Sequence, residues 1–301
     1  MSLVLSHVSK SYAGKCAIQD ISFSVKQGQV FGLLGLNGAG KSTTIRIILD
    51  IMEADAGQVL WRDRPAKALP RPTFGYLPEE RGLYPNMKVM EQLVLFGRLN
   101  GLSISAATER TNAWLNRFEI PDYASKLVRD LSKGNQQKIQ FIASMLHGPE
   151  LLILDEPFSG LDPVNTSLFK SVFRELVDGG TTILFSSHQL DHVEELSHSV
   201  GIIHQSNLVL KGAVSDILSA EQPTEIRICA SEEAVRAVLA PDVAAAIQTD
   251  KRDRWISIPA NGIDAEKLLK ELIDSGTMVS HFELVRPTLH DIFLGKVGKL
   301  G

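Results

Sequence analysis

The sequence predicts an α/β fold in which helices pack against one central sheet. Three apolar runs, residues 30–34, 151–154 and 181–185, have the length and composition of buried strands. The first run is followed by a glycine-rich turn and a helical pattern, the order typical of a unit with parallel strands. Ligands of open α/β sheets lie beyond the carboxyl ends of the strands. We therefore expect functional side chains directly after these three runs.

The turn after the first run has the pattern of a phosphate-binding loop, GLNGAGKS over residues 35–42. Glycines let the backbone N–H groups point inward, and the dipole of the following helix favours an anion. We expect Lys41 to reach the β- and γ-phosphates and the Ser42 hydroxyl to hold Mg²⁺. The predicted nucleotide ligands in this loop are Gly35, Asn37, Gly38, Gly40, Lys41, Ser42 and Thr43.

Several strands flank this loop. Residues 2–34 alternate in the manner of strands, and short strands are predicted at 57–61 and 73–77. Residues 87–146 change to helical spacing, with Val89, Leu93, Phe96 and Leu99 on one face. This stretch forms a helical subdomain between strands of the sheet.

The sheet continues after residue 150. Asp162 and Pro163 suit the N-cap and first position of a helix whose apolar residues are Leu168, Val172 and Leu176. Residues 199–204 and 207–211 are predicted to form a hairpin.

The pattern breaks at residues 218–223, so we expect a nucleotide-binding domain at 1–217 and a smaller domain at 218–301. Its predicted order is strand 224–230, helix 231–240, strands 244–249 and 254–258, helix 264–274 and strand 277–284. A last short helix begins at Thr288. That order is typical of a ferredoxin-like α+β unit, and we expect a regulatory or interaction role for it.

Acidic residues end the second apolar run. Asp155 is suited to hold Mg²⁺, and Glu156 is suited to polarise a water aimed at the γ-phosphate. An isolated Asp-Glu pair would be a solvated loop, but here it follows a buried strand. His188 follows the third run and is suited to donate a hydrogen bond to the γ-phosphate, although single histidines are more often structural or exposed.

Composition limits the class of protein. A net charge of −4 argues against general nucleic-acid binding, and the two cysteines lack metal-ligand spacing. We predict no signal peptide and no membrane span, since no apolar run approaches about 20 residues.

A second helix start, Leu131–Lys138, has Ser132 as a natural N-cap. Together with the phosphate loop, the Leu-Asp-Glu-Pro run and the Ser-His pair, it resembles the ATP-binding subunit of ABC transporters over residues 1–217. The resemblance implies that Tyr12 stacks on adenine and that two subunits pair head to tail. It also implies that Ser132 and Gly134 of one subunit clamp ATP held by Lys41 of the other, and that Asp162 helps join the sites.

The chain departs from that family at three positions. Glu79 replaces a glutamine that contacts Mg²⁺ and the attacking water, and Lys133 and Asn135 replace residues of the usual Leu-Ser-Gly-Gly-Gln. Lys133 is expected to add positive charge near the partner's phosphates. These departures and the C-terminal domain are similar to the subgroup of single-cassette exporters that includes sodium-export-type ATPases.

The sequence thus predicts an ATPase subunit, using ATP and Mg²⁺, that powers solute export through a separate membrane-spanning partner. Its expected partners are a second copy or a paired cassette and the membrane subunit, contacted through residues 80–91; no nucleic acid is expected. The expected location is cytoplasmic, at the inner face of the cell membrane. An alternative class is a soluble ABC ATPase of translation or DNA repair, which would normally carry tandem cassettes, a long coiled coil or zinc cysteines. A GTPase is disfavoured by the lack of an Asn-Lys-x-Asp motif.

Overall fold

A computed structural model describes residues 3–70, 73–80, 82–250 and 255–297. Contacts divide the chain into two compact units, Met1–Val214 and Ser215–Gly301. The boundary predicted from sequence, 217/218, falls inside helix α7, Val214–Ala220, and stays a prediction. Within the described residues, no helix combines the length and the apolar character needed to cross a bilayer.

The first unit is built on a six-stranded sheet, in agreement with the predicted α/β class. Its strands are β3 (Val30–Leu34), β6 (Phe74–Leu77), β7 (Leu151–Asp155), β8 (Thr182–Ser187), β9 (Ser199–His204) and β10 (Asn207–Ala213), in the order β10-β9-β3-β8-β7-β6. All neighbours pair in parallel except the predicted hairpin β9–β10. Leu34 pairs with Ser187 and Asp155 with Ser186, so the three apolar runs end at one edge, as predicted.

A second sheet covers one side of this core. It contains β1 (Leu3–Tyr12), β2 (Lys15–Val25), β4 (Ala56–Trp61) and β5 (Arg64–Pro65), all antiparallel, in the order β2-β1-β4-β5. Its buried apolar residues form one cluster with helix α1, Lys41–Ile48, and with the central strands. A short 3-10 helix, Ala66–Ala68, follows β5.

The helical subdomain contains α2 (Val89–Leu99), α3 (Ile104–Arg117) and α4 (Lys133–Met145), with 3-10 turns at Pro121–Tyr123 and Val128–Asp130. The predicted apolar face of α2 is wrong at its end, because Leu99 is 70% exposed. Gln92 and Gly97 are buried instead. At Gly97 a Cβ atom would lie 3.0 Å from Ala107 Cβ, so α2 and α3 approach each other at the glycine and turn Leu99 outward.

Helices α5 (Pro163–Asp178) and α6 (Leu190–Leu196) flank β8. Asp162 caps α5 as predicted, its side chain accepting a 2.8 Å bond from Asn165 N–H. Of the apolar residues predicted for α5, Val172 is buried, whereas Leu168 and Leu176 are only half-buried. Phe169 and Phe173 are buried in their place. Aromatic packing determines which face of α5 is buried, since Phe169 stacks on Phe141 of α4 with 4.7 Å between ring centroids.

The second unit has the predicted ferredoxin-like order. Its elements are β11 (Glu225–Cys229), α8 (Glu232–Val238), α9 (Pro241–Ala245), β12 (Gln248–Asp250), β13 (Trp255–Pro259), α10 (Ala265–Asp274), β14 (His281–Val285) and α11 (Leu289–Val297). The antiparallel sheet runs β12-β13-β11-β14 over a separate apolar core. The strand predicted from residue 244 begins only at 248, because Pro241 opens a helix there. The strand predicted from 277 begins at 281; residue 254, the predicted start of another, lies outside the described residues.

Candidate nucleotide site

The phosphate loop joins β3 to α1 through glycines whose backbone conformation other residues rarely adopt. Gly38 and Gly40 have φ values of 78° and 117°, in the left-handed region. A Cβ atom on Gly40 would lie 2.5 Å from Ile18 Cγ2 and 2.6 Å from the Ala17 carbonyl oxygen. Gly40 is also the N-cap of α1, so the loop presents the start of a helix.

A cavity of about 370 Å³ opens over this loop. The structure thereby brings together side chains that the sequence placed apart along the chain. Its lining contains the predicted residues Asn37, Gly38, Gly40, Lys41, Ser42, Thr43, Glu79, Asp155 and Glu156, with Ala17 and Leu36. A polar, concave site at the start of a helix is the arrangement that binds phosphates.

Lys41 is a buried cation inside this site, with 6% of its surface exposed. Its Nζ donates a 2.7 Å hydrogen bond to the Gly35 carbonyl oxygen and lies 3.7 Å from Glu156 Oε1. The ammonium group therefore stands between the loop backbone and the acidic end of β7. A buried positive charge in this position attracts an anion.

Glu156 is held in an unusual backbone conformation, with φ at 52°. Its N–H donates to Ser186 Oγ at 3.1 Å, and its Oε2 lies 2.9 Å from His188 Nδ1. Oε1 is buried and has no hydrogen-bond partner among the described residues. Buried polar atoms are normally paired, and the partner of this oxygen is the Lys41 ammonium group, which neutralises its charge without a hydrogen bond of normal length.

Ser186 is a site residue that the sequence reasoning missed. It is fully buried, and its hydroxyl donates to Asp155 Oδ1 while accepting the Glu156 N–H. One side chain therefore orients both acidic residues at the end of β7. The signal available in the sequence was register: in a parallel sheet, a serine at the end of β8 pairs with the aspartate at the end of β7.

The oxygen donors at the site suit Mg²⁺. The Ser42 hydroxyl and the Glu79 and Asp155 carboxylates line the same cavity, and Mg²⁺ prefers one or two such oxygens together with phosphates and water. Within the described residues, no group of three or more His, Cys, Asp and Glu could hold a metal by itself. The donor set thus fits a metal that arrives with a phosphate.

The other predicted ligands do not line this cavity in the single chain. Ser132 is exposed and caps α4, accepting a 3.3 Å bond from Asn135 N–H, and Gly134 lies two residues after Ser132. Asp162 is exposed, and the backbone hydrogen bond from Asn165 lowers its pKa below the ordinary value. Tyr12 is 42% exposed and its hydroxyl donates to Met52 Sδ.

Comparisons with known proteins agree with this geometry. The profile of the ABC transporter family matches residues 18–159, and that of the C-terminal domain of DrrA1-3-like ATP-binding proteins matches residues 212–297. A Bacillus subtilis (strain 168) protein described as an uncharacterized ABC transporter ATP-binding protein, YhaQ, is 41% identical over 98% of each chain.

Two further relatives extend the comparison. The daunorubicin resistance ATP-binding protein DrrA3 of Streptomyces coeruleorubidus is 29% identical over 99% of this chain and 96% of its own. A solved structure of the ATP binding subunit of an ABC transporter is 33% identical, covers 73% of this chain and 93% of its own, and superposes with a TM-score of 0.68. The chain therefore belongs to the family of ABC transporter ATP-binding proteins, and it binds and hydrolyses ATP.

Proposed function

We propose that this ATPase powers solute export through a separate membrane-spanning partner at the inner face of the membrane, and that it uses Mg²⁺. The catalytic part is supported by the buried Glu156 carboxylate, whose Oε1 lies 3.7 Å from Lys41 Nζ and whose Oε2 lies 2.9 Å from His188 Nδ1. Relatives over the whole chain, including a drug-resistance ATP-binding protein, favour export over a role in translation or DNA repair.

The residues that line the cavity have different roles in the proposed reaction. Lys41 and the backbone of residues 35–42 hold the phosphates, and Ser42, Asp155 and Glu79 would hold Mg²⁺, which supplies positive charge to the phosphate oxygens when bound. Glu156 Oε1 accepts a proton from the water that attacks the γ-phosphorus, as the bond to the β-phosphate oxygen breaks. The contact with Oε2 lets His188 hold the Glu156 carboxylate in this orientation and meet the γ-phosphate from the same side.

Pairing of two copies completes the proposed site. Cassettes of this family dimerise and work with transmembrane partners. Ser132, Gly134 and Asp162 lie outside the cavity of their own chain, which is where residues acting on a partner's nucleotide belong. We also assign Tyr12, at the exposed end of β1, to the adenine ring.

Contact with the membrane partner is assigned to residues 80–91, of which Arg81 lies outside the described residues. Beside this segment is a second cavity of about 280 Å³, lined partly by Leu83, Phe96 and His147. Tyr84 is 54% exposed and stacks against Phe96 with 6.1 Å between ring centroids. An exposed aromatic residue beside a partly apolar cavity suits docking of a protein segment.

The catalytic proposal is tested by Glu156→Gln, which removes the proton acceptor and keeps the shape. Hydrolysis should fall by about 10²- to 10⁴-fold, because that is the range contributed by a general base. Nucleotide affinity should be retained, and sedimentation with saturating Mg-ATP should show a dimer. Glu175→Gln, which changes an exposed carboxylate of α5, is the matched control and should hydrolyse normally. Unchanged hydrolysis in Glu156→Gln would exclude it as the base, and a monomer would contradict the pairing.

Docking of the membrane partner has its own test. A photo-crosslinking amino acid in place of Tyr84 should capture a protein with several membrane spans when the chain is bound to native membranes. The same amino acid in place of Lys267, whose side chain is 71% exposed in the C-terminal unit, should not. Capture from both positions, or from neither, would contradict the assignment of residues 80–91.

A further inference from the structure

The buried glutamines of α4 connect this helix to the loops that carry the acidic residues. Gln140 is 4% exposed, and its Nε2 donates to the carbonyl oxygens of Pro78 and Glu80, both at 3.1 Å. Gln137, on the preceding turn, donates to the Pro157 carbonyl oxygen at 3.2 Å. Neither side chain lies in the phosphate loop, and neither touches a residue assigned above to the nucleotide.

The two carbonyl oxygens that accept hydrogen bonds from Gln140 flank a residue of the nucleotide site. Pro78 and Glu80 are the residues on either side of Glu79, so one amide group bridges the backbone around a single side chain. A carboxamide has two N–H donors on one nitrogen, which match two carbonyl oxygens. An isosteric carboxylate could fill the same volume but could not make these bonds.

The other end of the amide shows that these two bonds are not incidental. Gln140 Oε1 is buried and has no hydrogen-bond partner among the described residues. An unpaired buried acceptor is unfavourable, and an apolar side chain at this position would avoid it. The two bonds to the loop are therefore what the glutamine contributes over an apolar residue of the same size.

We propose that Gln140 is a positioning residue that fixes Glu79 with respect to α4. Ser132 caps the start of this helix, so a shift of α4 when its first turn meets a partner's nucleotide moves the Glu79 loop with it. This inference rests on the proposed function for the chemistry of Glu79, but the link between Gln140 and the loop stands on the contacts alone.

The link is tested first by hydrogen exchange, which does not depend on activity. In Gln140→Met the amides of Tyr76 and Leu77, which pair with β7 directly before this loop, should exchange faster by about fivefold or more, because Pro78 loses its bond to α4 and the end of β6 opens more often. Ser144→Ala is the matched control: it removes a buried hydroxyl one turn further along α4 whose bond stays within the helix, at Phe141 O. Unchanged exchange in Gln140→Met would overturn the proposal.

Kinetic measurements then distinguish a Gln140 that positions the Glu79 loop from one that only fills space in the core. Gln140→Met should lower kcat by about ten- to a hundredfold, the range expected when a catalytic group is misplaced by about 1 Å. Nucleotide affinity should stay the same, because the phosphate loop is untouched. Gln140→Glu should be worse than Gln140→Met, since it sets a carboxylate against two carbonyl oxygens. If Gln140→Glu equals the wild type, Gln140 only fills space and the proposal is wrong.

Glu79→Gln distinguishes failure of this inference from failure of the proposed function. If Gln140 acts through Glu79, Gln140→Met should reduce kcat much less in the Glu79→Gln background than alone. Equal losses in both backgrounds would contradict action through Glu79. If exchange increases in Gln140→Met while Glu79→Gln leaves kcat and Mg²⁺ dependence unchanged, the tether is real and the assigned role of Glu79 is wrong.

Discussion

Ser186 shows how a single buried hydroxyl can organise two acidic residues. It donates to Asp155 Oδ1 and accepts the Glu156 N–H, and the latter residue has a left-handed backbone that needs support. Charge-assisted hydrogen bonds of this kind are stronger than neutral ones. Loss of the hydroxyl would leave a buried carboxylate oxygen without its donor.

We therefore expect Ser186→Ala to lower kcat by about 10- to 100-fold through displacement of Glu156 and Asp155. Nucleotide affinity in the absence of Mg²⁺ should change little, because Lys41 and the loop are unaffected. Steady-state kinetics and binding of a fluorescent nucleotide measure the two quantities.

Thr182→Val is the control for Ser186→Ala, since it removes another fully buried hydroxyl of β8, bonded to Gly28 N–H far along the strand. Its kcat should match the wild type. Equal losses of kcat in the two variants would mean that strand stability, and not the position of the acids, is affected.

The acidic end of β7 and the phosphate loop could be predicted from the sequence, because each comes directly after an apolar run that is recognisable as a buried strand. The same reasoning did not predict Ser186 or Gln140. The partners of Ser186 lie 30 and 31 residues away, and those of Gln140 lie 60 and 62 residues away. Such contacts can be identified only once strand register and helix placement are known. Roles in a paired site, such as those of Ser132 and Asp162, require a second chain and stay predictions.

At the scale of single elements, periodicity located the helices better than it located their buried faces. The boundaries of α5 follow local chemistry: Asp162 caps it, Pro163 opens it, and Gly179 and Gly180 follow its last turn. The buried side of the helix is decided instead by the phenylalanine cluster that it meets. A pattern of leucines gave no indication of that cluster, which is assembled from α4, α5 and β8.

Phe169→Ala tests which face of α5 matters. Phe169 is fully buried and touches the rings of Phe118, Phe141 and Phe158. Its truncation should lower the free energy of unfolding by about 3–5 kcal/mol, through lost burial and an unfilled cavity.

Leu168→Ala, at the half-buried neighbouring position, should cost clearly less than Phe169→Ala. Urea denaturation followed by circular dichroism measures both variants. A larger loss in Leu168→Ala would restore the face predicted from the leucine spacing.

At the scale of the whole chain, the two units have separate apolar cores and separate sheets. Every residue assigned to the nucleotide precedes residue 189, and all of them lie in the first unit. A chain ending after Val214 should therefore fold and bind ATP with an affinity within about twofold of the full chain, since domains with their own core fold alone.

Residues 215–301 expressed alone provide the control and should bind no nucleotide. Circular dichroism and titration with a fluorescent nucleotide report folding and binding. A truncated chain that is folded and yet fails to bind ATP would show that the second unit contributes to the site. The order of elements in that unit followed from the sequence, because β11 and β13 alternate between buried and less buried residues. Its function did not follow, since no catalytic constellation appears in its sequence.

The topology of the sheet also bears on how such proteins diversify. Strands β6 and β7 are neighbours in the sheet, yet residues 78–150 lie between them in the chain. A foreign segment spliced between these strands would leave the pairing of the other strands untouched. Residues 78–150 contain both Glu79 and Gln140, and they also contain the surface assigned to the membrane partner. Recombination at the end of β6 and the start of β7 would therefore transfer two properties together: the surface that selects the membrane partner and the contact that connects it to the nucleotide site.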